Sequence, residues 1–346
     1  MTPMARGTVL AVTSAALFGI TTPMVRRFGV GVGPFATAAL LYSGSALVSL
    51  IPSDVAAGPR LGRAQFLRLG LVASLGAALG PAALAFGLQH SGALAGSLLL
   101  NLEAFFTVLL ARVLYRETLS RRAQLAVVMM LLGGVLLGLR ASSGGNTTVL
   151  GFLAVVAATL AWAFDNTLTR PLADFDGRRV VFGKSALGVT LSVAFAWLGS
   201  ESWPGWAATG ALLGCGAVGY GLSLRAYLAA QRVLGAARTG SLFALAPFVG
   251  AALALGWGER GQLTLVALAA AAFCVAVYWH ATEGHGHWHR HEAMEHEHAH
   301  RHDDGHHDHV HEPAVLGEHT HSHRHDALEH AHPHGSDLHH RHDHEP

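Results

Sequence analysis

Along the first 280 positions, apolar residues come in long blocks rather than in stripes. Runs dominated by Ala, Leu, Gly and Val recur, separated by short links that carry arginines or turn residues. A soluble amphipathic helix shows a charged face every second turn, and these runs do not. A helix of about 20 apolar residues crosses the roughly 30 Å of hydrocarbon in a bilayer. The blocks therefore predict membrane-spanning helices near 8–25, 34–52, 68–88, 92–114, 122–140, 149–169, 181–199, 207–229, 236–257 and 262–280. The first block lacks a clear small-residue cleavage site and its apolar pattern runs on into the second, so it reads as a span and not as a cleaved signal peptide. Cys215 and Cys274 both fall inside apolar blocks and do not form a disulfide framework.

The links give an orientation. With the amino terminus in the cytoplasm and ten alternating spans, 15 Lys and Arg fall on the inner side. These are Arg6, Arg60, Arg63, Arg68, Arg112, Arg116, Arg121, Arg122, Arg170, Arg178, Arg179, Lys184, Arg225, Arg232 and Arg238. Only Arg26, Arg27, Arg140 and Arg260 fall outside. That asymmetry obeys the positive-inside rule and predicts a multi-pass protein of the cytoplasmic membrane with both termini in the cytoplasm.

Near residue 280 the material changes. Residues 1–280 hold 19 Lys and Arg against 8 Asp and Glu, whereas residues 281–346 hold 4 against 14. The net charge of +1 is thus a cancellation between two unlike parts.

The two halves of the apolar part match at a constant offset of 144 residues. Ala11–Thr22 (AVTSAALFGITT) falls on Val155–Asn166 (VVAATLAWAFDN), which sets Phe18 over Trp162, and Gly96-Ser97-Leu98 falls on Gly240-Ser241-Leu242. Agreement on one offset predicts a five-helix repeat at 1–140 and another at 149–280. Five is odd, so the second repeat enters the membrane inverted; such repeats place a substrate site near the midplane between rocking halves.

SLLLNLEAFFTVLLARVLYRETLSRR (97–122), its counterpart GAARTGSLFALAPFVGAALALGWGERG (235–261) and AWAFDNTLTRPL (161–172) resemble the drug/metabolite transporter superfamily, in its EamA-type ten-helix members. The tail EHAHPHGSDLHHRHDHEP (329–346) resembles a branch with histidine-rich ends. The resemblance implies an all-α integral membrane carrier, usually an exporter, with no ATP-binding part. Consistently, no GxxxxGK[ST] phosphate loop occurs. One departure stands out: Pro247 is typical of the family, and its partner by the repeat offset is Glu103.

Glu103 lies about ten residues from either end of its span, so roughly 15 Å deep. A carboxylate there is costly and should face the bundle interior. Two readings are open, a substrate or proton-coupling group and a hydrogen-bonded acid that locks two helices together. Trp162, Asp165 and Thr169 share one face of the sixth span, with Asn166 beside them, forming a polar stripe on the proposed path. Alternatively, Asp165 pairs with Arg170 or another surface arginine. Asn101, two residues from Glu103, points to a different face. His90 and Gln89 occupy a short outer link; Glu117 and Glu259 end spans four and nine, where pairing with neighbouring arginines would fix helix ends.

Twenty-three of the 25 histidines lie between His285 and His344, many in alternation. His285, His287, His289 and His291 form one run; His296, His298, His300 and His302 a second; His319, His321, His323 and His325 a third; His339, His340, His342 and His344 a fourth. Imidazole suits Zn²⁺, Ni²⁺, Co²⁺ and Cu²⁺. With almost no apolar side chains to build a core, residues 281–346 are expected to be disordered without metal. A solubilising or pH-responsive role is the alternative.

Three functions follow as expectations. The first is a secondary, proton-coupled exporter of divalent transition metal ions. The second is a carrier of amino acids or other small metabolites whose tail only buffers or senses metal. The third is a membrane-anchored metal buffer or sensor. Beyond ions on the tail, no tightly bound cofactor is expected. The expected partners are lipid and a small-molecule or metal-ion substrate, with a homodimer left open and no nucleic acid. No nucleophile–base constellation points to an enzyme.

Overall fold

The computed structural model describes residues 3–51, 62–115, 121–142, 149–169, 172, 177–234, 236–259, 263–281, 286–291, 294–300, 319–325 and 328–333. The chain divides into two compact units, Met1–Glu283 and Gly284–Pro346.

Among the described residues, the regular structure of the first unit is all helical. In order these are α1 (Pro3–Phe28), α2 (Pro34–Ser49), α3 (Arg63–Ala73), a π turn (Ser74–Leu79), α4 (Gly80–Ser91), α5 (Ala93–Leu99), α6 (Leu102–Tyr115), α7 (Arg121–Ser142) and α8 (Val149–Thr169). Then follow α9 (Gly177–Leu198), α10 (Trp206–Cys215), a second π turn (Gly216–Leu222), α11 (Ser223–Leu234), α12 (Ala236–Phe243), α13 (Ala246–Gly256) and α14 (Leu263–Ala281).

Among the described residues, seven helical stretches are long and apolar enough to cross a membrane. The expected spans at 34–52, 122–140 and 262–280 fall instead on three shorter apolar helices, Pro34–Ser49, Gln124–Leu139 and Leu263–Trp279. For α2 the physical reason is visible. Arg178 of α9 donates from Nε to Ser49 O (2.9 Å) and from Nη2 to Leu50 O (3.2 Å), and Arg225 of α11 donates from Nη1 to Val48 O (3.1 Å). Two guanidinium groups thus take the terminal carbonyls that would otherwise continue the helix or meet water.

Large apolar side chains point outward all round this unit, among them Leu71, Val113, Val135, Leu150 and Leu268, each more than half exposed. Such a surface suits lipid and not water. Inside, Leu41, Leu84, Leu94, Met130, Leu137 and Phe273 are fully buried. Helices α2 and α9, α4 and α8, α1 and α11, and α7 and α14 pack as pairs. Small residues allow the closest crossings, since lipid supplies little hydrophobic drive and association rests on close packing. A Cβ on Gly216 would lie 1.9 Å from Leu41 O, so α2 and the second π turn touch backbone to backbone.

Two spans are broken. Between α5 and α6 the ladder tightens at Leu100 and Asn101, whose amides bond to Ser97 O (3.2 Å) and Leu98 O (3.1 Å). Between α12 and α13, Leu245 N bonds to Leu242 O (3.2 Å). In the second case Pro247 explains the break, because it has no N–H to continue the ladder. The first break occurs without a proline; there the Asn101 side chain takes over a carbonyl, donating from Nδ2 to Leu98 O (2.9 Å). The two breaks stand 144 residues apart, the spacing of the sequence match.

The described segments of the second unit are extended and paired: β1 (Gly286–His291) runs antiparallel to β4 (Leu328–Pro333), and β2 (Met294–His300) to β3 (His319–His325). Register sets His287 opposite His332, His289 opposite His330, His296 opposite His323, His298 opposite His321 and His300 opposite His319. Alternating residues suit the period-two geometry of a strand, and a backbone ladder requires no apolar core. His285, His302, His339, His340, His342 and His344 lie outside the described residues.

Gly216→Ala is expected to force α2 away from the second π turn at a cost of about 1–3 kcal/mol. Gly210→Ala, with open space around its Cβ, is expected to cost nothing. Thermal unfolding of the two purified variants, followed by size-exclusion, compares them directly.

Candidate functional site

Glu103 and Asn166 come together. Glu103 lies in the first turn of α6, just past the break at Leu100–Asn101, and Asn166 lies near the end of α8. Asn166 Nδ2 donates to Glu103 Oε1 at 2.6 Å. These residues are 63 apart in sequence, one in each of the expected halves.

One position away on α8, Asp165 is buried, with 3% of its surface exposed. It forms an ion pair through Oδ2 with Lys184 Nζ of α9. Thr169 Oγ1 donates to the other carboxylate oxygen, Oδ1, at 3.2 Å. Among the described residues, Asp165 therefore pairs with a lysine within the bundle. Lys184 is about 10 Å along α9 from its first residue, well inside the helix. Two oppositely charged groups in an apolar surround need each other; the side chains are only 11% and 5% exposed.

A glycine makes room for the pair. A Cβ on Gly76 would sit 2.1 Å from Asp165 Oδ2. Gly76 lies in the first π turn, a geometry that shifts carbonyls out of the regular ladder. Its carbonyl accepts from Tyr42 Oη (2.7 Å) and from Trp162 Nε1 (3.0 Å). Trp162 is thereby fixed by its polar edge and left with its ring toward Phe18, at 6.1 Å between centroids in an edge-on arrangement. Phe18 also meets Tyr220 (5.6 Å) and Phe243 (5.5 Å), and Tyr42 meets Tyr220 (5.5 Å). An aromatic wall from five helical segments therefore adjoins the charged group.

The other sequence candidates lie elsewhere. Asn101 is buried inside the break, with its amide nitrogen on Leu98 O. His90 is tied to its own helix, with Nδ1 at 2.8 Å from Phe86 O and its ring stacked on Phe86 at 4.1 Å. Gln89 donates from Nε2 to Gly29 O (2.8 Å) and Val32 O (3.1 Å), bracing a loop. Glu259 pairs with Arg26, a residue of α1 and not a sequence neighbour. Glu117, Arg170 and Arg260 lie outside the described residues.

Lys184, Gly76 and Tyr42 were not among the sequence candidates. Lys184 entered only as an inner-side charge, although a lysine inside an apolar span is itself a signal of a buried partner. No sequence pattern marked Gly76 or Tyr42.

Lys184→Met would leave Asp165 with no cation in its ion pair. Breaking a buried pair this way costs about 3–5 kcal/mol. Asp165→Asn combined with Lys184→Met is expected to recover most of that loss, measured as the thermal midpoint in detergent.

Residues 5–139 match the EamA-like transporter family. A protein of Methanothermobacter thermautotrophicus named as an uncharacterized transporter is 31% identical over 200 residues. That stretch is 56% of this chain and 58% of the relative, so the chain spans a little over half the length of the relative it matches. A solved crystal structure of a protein superposes with a TM-score of 0.60 at 20% identity, over 79% of this chain and 94% of its own. At that identity the likeness concerns the fold alone. Residues 5–139 are thus similar to the EamA-like transporter family, and the described residues hold seven helical stretches long and apolar enough to cross a membrane.

Proposed function

We propose that this chain is a secondary carrier that moves a small zwitterionic organic solute, such as an amino acid, past Glu103, Asn166, Asp165 and Lys184. The observation that carries the reading is the Asp165–Lys184 pair, set beside the Glu103–Asn166 contact and the aromatic wall of Trp162, Phe18 and Tyr220. A solute with one ammonium and one carboxylate can exchange with such a pair charge for charge. Its ammonium replaces Lys184 at Asp165, and its carboxylate replaces Asp165 at Lys184. Neither protein charge is then left bare in an apolar surround. The aromatic rings offer an apolar body a place to lie.

Lys184 weighs against a divalent metal as cargo. A dehydrated Zn²⁺ or Ni²⁺ needs several ligands at once, and an ammonium group bonded to one of the two carboxylates repels it. Among the described residues, no group of three or more His, Cys, Asp or Glu side chains is placed to hold a metal ion. Of the first two expectations, the geometry favours the organic solute.

Ten spans in two inverted five-helix repeats, with both termini in the cytoplasm, form the working architecture. The breaks 144 residues apart support the repeat, as does the contact between Phe18 and Trp162, the residues that the offset superimposes. Residues related by a two-fold axis meet where that axis passes. Alternating access by rocking of the halves follows, and Glu103 is the proton-coupling group.

For the tail, the proposed ligands are divalent transition ions held by imidazoles, supported by the five His–His pairs in register. There the metal is buffered or sensed, and is not the cargo.

In proteoliposomes, uptake of labelled amino acids driven by an imposed pH gradient is expected for the wild type and to fall at least about tenfold, or 1.4 kcal/mol, in Glu103→Gln. Equal flux in the variant removes Glu103 from the mechanism, and wild-type flux of Zn²⁺ in place of any amino acid overturns the solute class. Deleting 281–346 is expected to abolish stoichiometric Zn²⁺ and Ni²⁺ binding, read by calorimetry, while uptake continues. Retained metal binding would contradict the assignment to the tail.

A further inference from the structure

Three segments that are far apart in sequence are held together by two side chains at the end of α1. Glu259, in the turn after α13, pairs through Oε1 with Arg26 Nη1. The same oxygen accepts from Ala93 N (3.2 Å), and Oε2 accepts from Leu94 N (2.8 Å), so the carboxylate also caps α5. Arg26 Nε donates to Leu88 O (3.0 Å), the carbonyl near the end of α4. Beside them, the Arg27 guanidinium lies 5.4 Å from the centre of the Trp257 ring, a second link between the same two segments. Gly92 and Gly258 both take φ of 85°, which lets the two turns approach.

We infer that the Arg26–Glu259 pair is a gate that closes this end of the solute path and breaks each time the path opens there. The inference rests on the carrier reading above. Arg26 belongs to the first expected repeat and Glu259 to the second, so the pair ties the halves to each other. Glu259 caps the half-helix that leads into Glu103, at a distance of about 13 Å along its axis. Helix α5 therefore joins the gate to α6 and Glu103 through the break at Leu100–Asn101. At 35% and 24% side-chain exposure the pair stays in reach of water. Its two charges can be solvated when it opens, as the sealed Asp165–Lys184 pair cannot. A reversible latch requires this, because a fully buried pair would trap the carrier in one state. Beneath the latch Ser97 is completely buried, one turn further along α5. It packs against α13, where a Cβ on Gly250 would come 2.7 Å from its hydroxyl. Ser97 becomes accessible only if α5 and α13 separate.

The test uses the full chain with Cys215→Ala and Cys274→Ala, reconstituted in vesicles, and Ser97→Cys as the reporter. A membrane-impermeant maleimide is added on the side where Val30 emerges. Val30→Cys, at a position 73% exposed in the loop after α1, identifies that side and confirms insertion in every background. Arg26→Gln is expected to speed labelling of the Ser97→Cys reporter about tenfold, reflecting a larger open population. Glu259→Gln is expected to do the same. Arg26→Gln is the decisive variant because it leaves the Glu259 carboxylate free to cap α5. Acceleration by Glu259→Gln alone would make the carboxylate a helix cap only and overturn the gate, as would an unchanged rate in both variants. Labelling is read without any solute, so its outcome stands apart from the uptake result that tests the carrier reading.

Discussion

Charge inside an apolar slab must be answered by opposite charge or by hydrogen bonds from the protein itself, because lipid supplies neither. In this chain the requirement is met where Lys184 of α9 reaches Asp165 of α8. Much of the surrounding structure serves that pair. Gly76 withholds a Cβ so that the carboxylate has room. The π turn presents the Gly76 carbonyl to Tyr42 and Trp162, which fixes the aromatic wall next to the charges. Thr169 completes the carboxylate's hydrogen bonds, and Asn166, the next residue on α8, reaches across to Glu103. A local electrostatic need thus organises the first π turn, α6, α8 and α9 around one place in the bundle.

The same constraint explains what the sequence reveals and what it hides. Hydropathy marks the spans because lipid demands apolar length, and seven stretches meet that demand outright. Their ends are less legible. Helix α2 stops where Arg178 and Arg225 take its last carbonyls, and both arginines lie more than 120 positions further along the chain. Pro247 announces the break before α13, whereas its counterpart before α6 is made by Asn101 and carries no proline. Glu103, Asp165 and Asn166 stand out as polar residues in apolar surroundings. Which residues pair is not legible, since the Glu103–Asn166 contact spans 63 positions and the Arg26–Glu259 pair spans 233. Gly76 is one glycine in a stretch rich in small residues, and only its distance to Asp165 distinguishes it.

In the second unit, alternation in sequence and pairing in space are different levels of information. Period two is written in runs such as HTHSHRH (319–325), but which histidine faces which depends on the register of two segments. Antiparallel ladders satisfy the backbone without an apolar core. The two units therefore divide two chemistries. One handles a compact charge pair within an apolar bundle, and the other gathers imidazoles, the preferred ligands of transition metal ions.

The central claim is that Asp165 and Lys184 recognise a zwitterion and not a metal ion. Equilibrium binding to the purified chain lacking 281–346 tests it most directly, with a labelled amino acid and Zn²⁺ measured in parallel, in wild type and in Lys184→Met. The account predicts saturable amino-acid binding that is lost in Lys184→Met, with no Zn²⁺ bound by either protein. Zn²⁺ binding that strengthens when Lys184 is removed, with no amino acid bound by the wild type, would contradict it.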